Sequence, residues 1–412
     1  MNQLLACCMC IPKGEAKTLL ESTQRIYTYI CKTPMLNNTA SVKRASCALN
    51  NNNVKFDIPR SIKYFIYNLQ LLPEAYTGAE TNRMTLCYFC VSALDILGGL
   101  DKIPNKKHII DWIYNLQIAP PTNTSSNDDN LPEYWQHSGF IGGTFLGGDF
   151  IQTNSANVNR PANEHLHGHI AMTYTSIATL LILGDDLSRV NRDAIKVSLA
   201  ALQDEQGKFV ATFAGSESDM RFVYCACVIS VMLGFDENVF NADKAVKFIM
   251  SCYNYDGGFG LLPGQESHGG ACYTAIASLV LLGKLNVLTD NQKNKLGRWC
   301  LRRQVYYLND GMVEEAKKGG EMEAAGMQGR CNKLPDTCYS FWIGGTLQML
   351  GDEWLNMLNK NKLRTFLLKY TQHKRFGGFG KVPGAPPDLL HAYFGVCGIS
   401  LIEHDTENVK RL

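Results

Sequence analysis

The chain has 412 residues, 45% of them hydrophobic, and a formal net charge of +2. That near-balance excludes the clustered basic excess of a nucleic-acid binder, and no apolar run reaches the about 18 residues a membrane helix needs. Length and apolar content suffice for one large core or two ordinary ones.

Met1 to Pro12 is apolar but lacks a basic leading region and soon meets Lys13 and Glu15. It is a poor secretion signal, so a cytoplasmic protein is expected. The Cys7, Cys8 and Cys10 cluster is weak evidence for acylation. Leu36 to Val54, with Asn51-Asn52-Asn53, reads as disordered linker. Residues 1–59 are therefore an N-terminal extension, and the folded body is expected over 60–412.

From there one phrase recurs six times. A tyrosine beside a small or sulfur-bearing residue opens an apolar run at Tyr88, Tyr174, Tyr224, Tyr273, Tyr339 and Tyr393. Glycine follows ten residues on at Gly98, Gly184, Gly234 and Gly283, the signature of a helix C-terminus. A second helical stretch closes at Gln117, Gln203, Gln304 and Gln372, and glycine pairs such as Gly257-Gly258 mark turns. A two-helix repeat that cannot bury its own apolar face predicts stacked hairpins, and six copies are enough to close a ring. Residues 118–138 and 305–325 interrupt the period and read as solvated excursions.

The chain contains 15 cysteines. Cys87, Cys90, Cys225, Cys227, Cys272 and Cys397 lie within apolar runs, where a reduced thiol packs as a small hydrophobe. No disulfide framework is expected.

Five residues before the repeat tyrosines stand Arg83, His169, Asp219, His268 and Asp388. Each such residue either caps its helix or serves a ligand. Together they put polar groups, and helix N–H groups suited to an anion, at one rim. The densest polar cluster is Gly329-Arg330-Cys331-Asn332-Lys333-Leu334-Pro335-Asp336-Thr337-Cys338-Tyr339. Asp336 and Cys338 flank one residue at a helix start, and His391 occupies the matching turn of the next repeat. Carboxylate, thiolate and imidazole make a three-ligand zinc set with an open fourth position.

These strings, with Pro263-Gly264-Gln265-Glu266-Ser267-His268-Gly269-Gly270 and His391-Ala392-Tyr393, resemble the β subunits of the protein prenyltransferases over roughly Ser61 to Leu401. The resemblance implies an all-α fold, an α6–α6 barrel, with a separate α subunit as partner. It implies one zinc on Asp336, Cys338 and His391, with the substrate's cysteine thiol as fourth ligand. It places His268, Arg330, Lys333, Tyr339 and Arg221 on an isoprenoid diphosphate. Thr85 stands where farnesyl enzymes carry a pocket-shortening tryptophan, and Lys381 where they carry an aspartate that helps place Mg²⁺. A lysine cannot hold that ion but can neutralise the same phosphate charge, so zinc without magnesium is expected. Both positions favour the type I geranylgeranyl branch, using geranylgeranyl diphosphate and C-terminal CaaX proteins such as Rho/Rac-type small GTPases. Farnesyl and Rab-type branches are the alternatives. The same resemblance assigns Thr85, Phe89, His169, Ala171, Tyr174, Phe222 and Leu390 to the lipid and CaaX pocket.

Three other classes compete. A terpenoid cyclase would need an Asp-x-Asp-Asp acid string, which is absent. A six-hairpin glycosidase would need paired carboxylates at the rim, and Arg330, Lys333 and His268 suit an anion instead. A non-catalytic toroid would have no use for the zinc set.

Overall fold

The computed structural model describes residues 55–119, 133–145, 166–235, 239–307 and 322–403. The expected linker, the Cys7–Cys10 cluster and the interior of both excursions lie outside these residues. The helices in chain order are α1 (Ile58–Gln70), α2 (Arg83–Ile96), α3 (Lys106–Tyr114), α4 (Ile170–Ile182), α5 (Arg192–Ala201), α6 (Met220–Met232) and α7 (Ala242–Ser251). They continue with α8 (Gly269–Leu281), α9 (Asp290–Leu301), α10 (Tyr339–Leu350), the one-turn α11 (Asp352–Asn356), α12 (Lys360–Thr365) and α13 (Leu389–Ile402). A π-helical stretch, Phe366–Thr371, extends α12.

Six helices form an inner wall, in which α2, α4, α6, α8, α10 and α13 each pack on the next and α13 returns to α2. Their sequences are apolar on every side because both faces are covered: in α13 every residue from Leu389 to Ile399 is buried. The outer helices α1, α3, α5, α7, α9 and α12 carry one apolar stripe each. Four inner helices end at the expected glycines, which take positive φ at Gly98, Gly184, Gly234 and Gly283. At each the following N–H reaches back to the carbonyl five residues before it, as Asp185 N to Leu180 O at 3.0 Å, which is a Schellman turn.

The glutamines have a tertiary purpose. Gln203 accepts from Asn241 N at 2.8 Å and donates to Asn241 O at 2.9 Å, so its amide clamps the N-cap of the next outer helix. Gln117 binds Asn191 N and Arg189 O in the same way, and Gln304 binds Asn359 N and O. Gln372 accepts from Asp57 N at 2.9 Å and donates to Lys55 O, joining the last hairpin to the first. A second girdle runs round the inner rim. The first N–H groups of α2, α4, α6 and α8 donate to Gly142, Ala211, Leu261 and Gly329 carbonyls of the following repeat. Leu389 N donates to Tyr76 Oη and closes that girdle too.

The tyrosine phrase is borne out with one correction. Tyr88, Tyr174, Tyr224, Tyr273 and Tyr393 are buried and form a belt with neighbouring ring centroids 5.7 to 6.2 Å apart. Tyr339 is outside this belt, because it is the first residue of α10 rather than an interior one. Trp342 fills its place, 5.1 Å from Tyr273 and 4.5 Å from Phe394. The described ends of the two excursions are also less solvated than their composition suggests. Gln117–Ile118 pairs with Gly139–Phe140, and Gln304–Tyr306 with Ala325–Met327. Ile118, Trp135, Ala324 and Ala325 are buried.

The described cysteines are free thiols, and burial raises Cys87, Cys227 and Cys272 to about 12, as expected of packing groups. Replacing Gln372 with alanine removes its bonds to Asp57 N and Lys55 O across the seam and should cost about 1–3 kcal/mol. Hydrogen exchange should quicken in α1 (Ile58–Gln70) while α7 (Ala242–Ser251) keeps its protection.

Candidate active site

Four of the rim residues cap their helices. His169 and His268 accept through Nδ1 from the N–H two residues on, at 3.2 and 3.0 Å, and Asp219 accepts from Arg221 N at 2.9 Å. Asp388 accepts from His391 N at 3.0 Å. Arg83 caps nothing and pairs with Glu80 at 2.7 Å. The helix N–H groups, expected to be free for an anion, are thus largely spoken for by caps and by the rim girdle. An anion at this rim would have to be held mainly by side chains.

His268 shows how. Because its Nδ1 accepts from Gly270 N, the neutral ring carries its proton on Nε2, which faces Tyr339 Oη at 2.9 Å. Burial, then the Arg330 guanidinium, lower its pKa to about 4. The Tyr339 hydroxyl accepts from Nε2 and keeps its own proton to donate elsewhere. Gly329 makes this arrangement possible: a Cβ there would sit 2.0 Å from the Tyr339 ring. Arg330 reaches the same rim, 41% exposed and 3.3 Å from Glu266. Lys333 is exposed and makes no ion pair among the described residues.

Beside this cluster the ligand atoms of Asp336, Cys338 and His391 all lie within 4.8 Å of one another, and all three residues are buried. The bridge from Gln328 to Pro335 and the bond from Thr337 N to Lys381 O set the turn that turns Asp336 and Cys338 inward. Asp336 accepts from Cys338 N at 2.9 Å. Asp388 holds His391 Nδ1 at 2.6 Å, leaving Nε2 aimed at the other two groups. Nε2 is 3.2 Å from Asp336 Oδ1, yet it is buried without a partner in hydrogen-bond geometry. A metal fits that orphaned nitrogen, with a carboxylate–histidine pair behind it as metal sites use. Burial opposes charge on His391, but Asp336 and Asp388 outweigh it and raise its pKa to about 9. Burial likewise opposes charge on Asp336, and His391 and Cys338 hold its pKa below the usual carboxylate range. Lys381 Nζ stands 3.9 Å from Asp336 Oδ2 and is half-exposed.

Arg221 is placed differently from its expected company. Its guanidinium donates through Nε and Nη2 to Asp219 and through Nη2 to Glu217, at 2.6 to 2.9 Å for the shorter contacts, and its side chain is 4% exposed. Its charge is matched within the protein. Thr85 is buried rather than a surface threonine, with Oγ1 3.4 Å from Met172 Sδ. Phe89 stacks on Tyr393 at 5.2 Å, and His169 meets Phe222 edge-on at 6.1 Å. Ala171, Tyr174 and Leu390 are buried in the same inner wall. The sequence reading missed three partners: Asp388 as the orienter of His391, Glu266 on Arg330, and Met172 over Thr85. Only Asp388 left a signal, an acid three residues before a histidine at a helix start. A cavity of about 630 Å³ opens at the opposite end of the ring, between the C-terminal ends of α6 and α8, away from this chemistry.

The prenyltransferase alpha-alpha toroid domain model matches residues 56–412. The chain is 37% identical over 366 residues to the geranylgeranyl transferase type-1 β subunit of Arabidopsis thaliana, covering 85% of this chain and 86% of that one. It is 36% identical to the Dictyostelium discoideum counterpart, covering 82% and 88%. The chain belongs to the prenyltransferase toroid family, in the geranylgeranyl transferase type-1 β-subunit group. The toroid also superposes on Candida albicans protein geranylgeranyltransferase-I complexed with GGPP, with a TM-score of 0.68 at 25% identity over 85% of this chain and 92% of that one.

The two rim histidines give the toroid an acid limit. Burial, then Arg221, lower His169 to about 4. The native state keeps this ring neutral, whereas the unfolded chain protonates it near the ordinary imidazole value of 6.5. Stability is therefore held above pH 6.5 and lost as pH falls toward 4, by up to about 1.4 kcal/mol per pH unit for each such group. His169→Asn, which can still cap the helix, should flatten part of that fall in urea unfolding measured from pH 7 to 4.

Proposed function

We propose that this toroid, joined to a separate α subunit, transfers a geranylgeranyl group from geranylgeranyl diphosphate to the cysteine of proteins ending Cys-aliphatic-aliphatic-X, with leucine favoured last. The observation that carries the reading is the Asp336–Cys338–His391 triad beside the His268–Tyr339–Arg330–Lys333 cluster. One group of residues is a metal site for a thiol, and the other is a cradle for a leaving anion. Zinc held by the triad would lower the pKa of the substrate thiol and make it a nucleophile near neutral pH.

The chain's own residues divide the remaining work. Asp388 fixes the ring of His391, so that Nε2 faces inward. The thiolate forms a bond to the first carbon of the lipid while the bond from that carbon to the diphosphate oxygen breaks, and the electron pair leaves with the diphosphate. Negative charge grows on that oxygen as the bond breaks, so donors preset around it act most strongly in the transition state. Tyr339 donates its free proton, and Arg330 and Lys333 supply positive charge. Lys381 stands beside Asp336 of the triad. We assign to it the charge neutralisation that a magnesium ion would otherwise supply, so added magnesium is not required.

The lipid chain would run down the inner wall past Phe89, Ala171 and Tyr174 toward Thr85 and Met172, with His169, Phe222 and Leu390 lining the peptide side. Thr85 leaves room that a tryptophan would remove. The flexible thioether of Met172, lying on Thr85, can yield to a longer chain. Arg221, matched by Asp219 and Glu217, is better suited to shaping this wall than to neutralising phosphate.

Two experiments test the reading on the αβ complex. Cys338→Ala should lower zinc content and cut protein prenylation by well over about a hundredfold, while lipid diphosphate still binds. Stoichiometric zinc in that variant would move the metal elsewhere. Thr85→Trp should shift preference from geranylgeranyl toward farnesyl diphosphate by about tenfold or more in kcat/KM. An unchanged ratio would separate Thr85 from lipid choice.

A further inference from the structure

The diphosphate cluster is carried by two separate loops. His268 ends the loop from Gly260 to Ser267, and Arg330 and Lys333 lie on the loop from Gln328 to Pro335. Behind both, in the outer layer of the ring, stands a chain of contacts that touches no part of the proposed substrate. Asp256, in the turn between α7 and α8, accepts from Ser267 Oγ at 2.6 Å and from Gly258 N at 3.1 Å through Oδ1. Its Oδ2 accepts from Trp299 Nε1 at 3.0 Å. Ser267, the residue before His268, is itself held by Asn254 Nδ2 at 3.0 Å. The Trp299 ring lies beneath the Arg303 guanidinium, 4.8 Å from centroid to Cζ. Arg303 donates from Nη1 to Cys331 Sγ at 2.7 Å, and its carbonyl accepts from Gln328 N at 2.9 Å.

We infer that Asp256, Trp299 and Arg303 form a bracket that sets the distance between His268 and the Arg330–Lys333 pair, and that Asp256 is therefore a positioning residue for the diphosphate. The inference rests on the diphosphate reading above.

Three features favour a bracket over ordinary packing. Trp299 and Arg303 are 4% and 6% exposed, so this part of the bracket is stiff. Arg303 makes no ion pair among the described residues and its Nε has no partner. A buried guanidinium is a costly way to fill space, and here its fork donates to Cys331 of the Arg330 loop while the backbone carbonyl of the same residue accepts from Gln328 N. The bracket is also directional. On one side it ends at the residue next to His268, and on the other at the residue next to Arg330. The backbone bond from Gly269 N to Gly329 O at 2.8 Å joins the loops at their bases, leaving their outer parts to be spaced from behind. A carboxylate is required at position 256 because it must accept from a hydroxyl, an amide and an indole at once. Asparagine keeps the shape but offers only one accepting oxygen, and its NH₂ would face one of the donors.

The test uses the zinc-loaded αβ complex, with inorganic pyrophosphate as probe. Asp256→Asn should weaken pyrophosphate inhibition by about tenfold, the effect of losing one charge-assisted set of bonds, and raise KM for the lipid diphosphate in step. Zinc content and KM for the peptide should not change. Trp299→Phe, which keeps a ring under Arg303 but loses the indole donor, should move the same two quantities in the same direction by about threefold. Ser267→Ala added to Asp256→Asn should cost less than it does alone, because the two residues share one bond.

Pyrophosphate inhibition unchanged in Asp256→Asn, with His268→Ala strongly weakened, would overturn the bracket and leave the diphosphate site intact. Inhibition unchanged in both variants would instead sink the diphosphate reading itself. If Asp256→Asn loses zinc and folded protein together, Trp299→Phe decides: without its selective shift, the bracket is structural packing and the inference fails.

Discussion

Closure of the ring is the constraint on which everything else in this molecule depends. A helical hairpin of this kind cannot bury both sides of its inner helix, and an open stack of six would leave two apolar faces in water. The last hairpin therefore has to meet the first. Packing of α13 on α2 supplies the apolar part, and Gln372 on Asp57 and Leu389 on Tyr76 supply the directional part. Since four inner helices repeat the same backbone tie to the following repeat and α13 is tied to Tyr76, their N-termini are brought to one rim. Convergence of the functional residues is a consequence of that closure, not a separate achievement of local structure.

At the rim, side chains serve structure and chemistry at once. Each capping residue has two ends. His268 caps through Nδ1, which forces the proton onto Nε2 and so sets the polarity of the bond to Tyr339. Asp388 caps through one oxygen and orients His391 through the other. At both positions the cap uses one side-chain atom and leaves a second for another partner. Electrostatics then divides the rim by partner. Arg221 is matched by two acids and its charge is used internally, whereas among the described residues Lys333 pairs with no acid and Lys381 only with the shared Asp336. Cations left short of acids are where an anion is most stabilised.

The fifth repeat shows where a sequence period can mislead. Tyr339 looks like the other five tyrosines, but Pro335 and the inward turn of Asp336 start the helix late, so that Cys338 becomes its N-cap. The belt position passes to Trp342, and Tyr339 is released to face His268. The repeat is broken at the place where the Asp336–Cys338–His391 group meets the His268–Tyr339 pair, and the apparent regularity of the tyrosines hid that break. In the same way, 118–138 and 305–325 look like plain polar insertions, although their ends are paired strands with buried Trp135 and Ala325. Short polar stretches hide a strand whose partner is far along the chain.

By itself, the sequence determined the repeat, the helical hairpins, their glycine stops, the Asp336–Cys338–His391 group as a possible metal site and the family, because each of these is written in local spacing or in a contiguous string. Tertiary structure alone decided which groups were already spent. The pairing of Arg221 with Asp219 and Glu217, the tautomer of His268, the orphaned Nε2 of His391 and the reach of Gln372 to Asp57 all depend on distances between chain segments, some more than three hundred residues apart. Hydrogen bonds and ion pairs fall off within a few ångströms, so a residue's type states what it can do, and only its neighbours in the closed ring state what it is free to do.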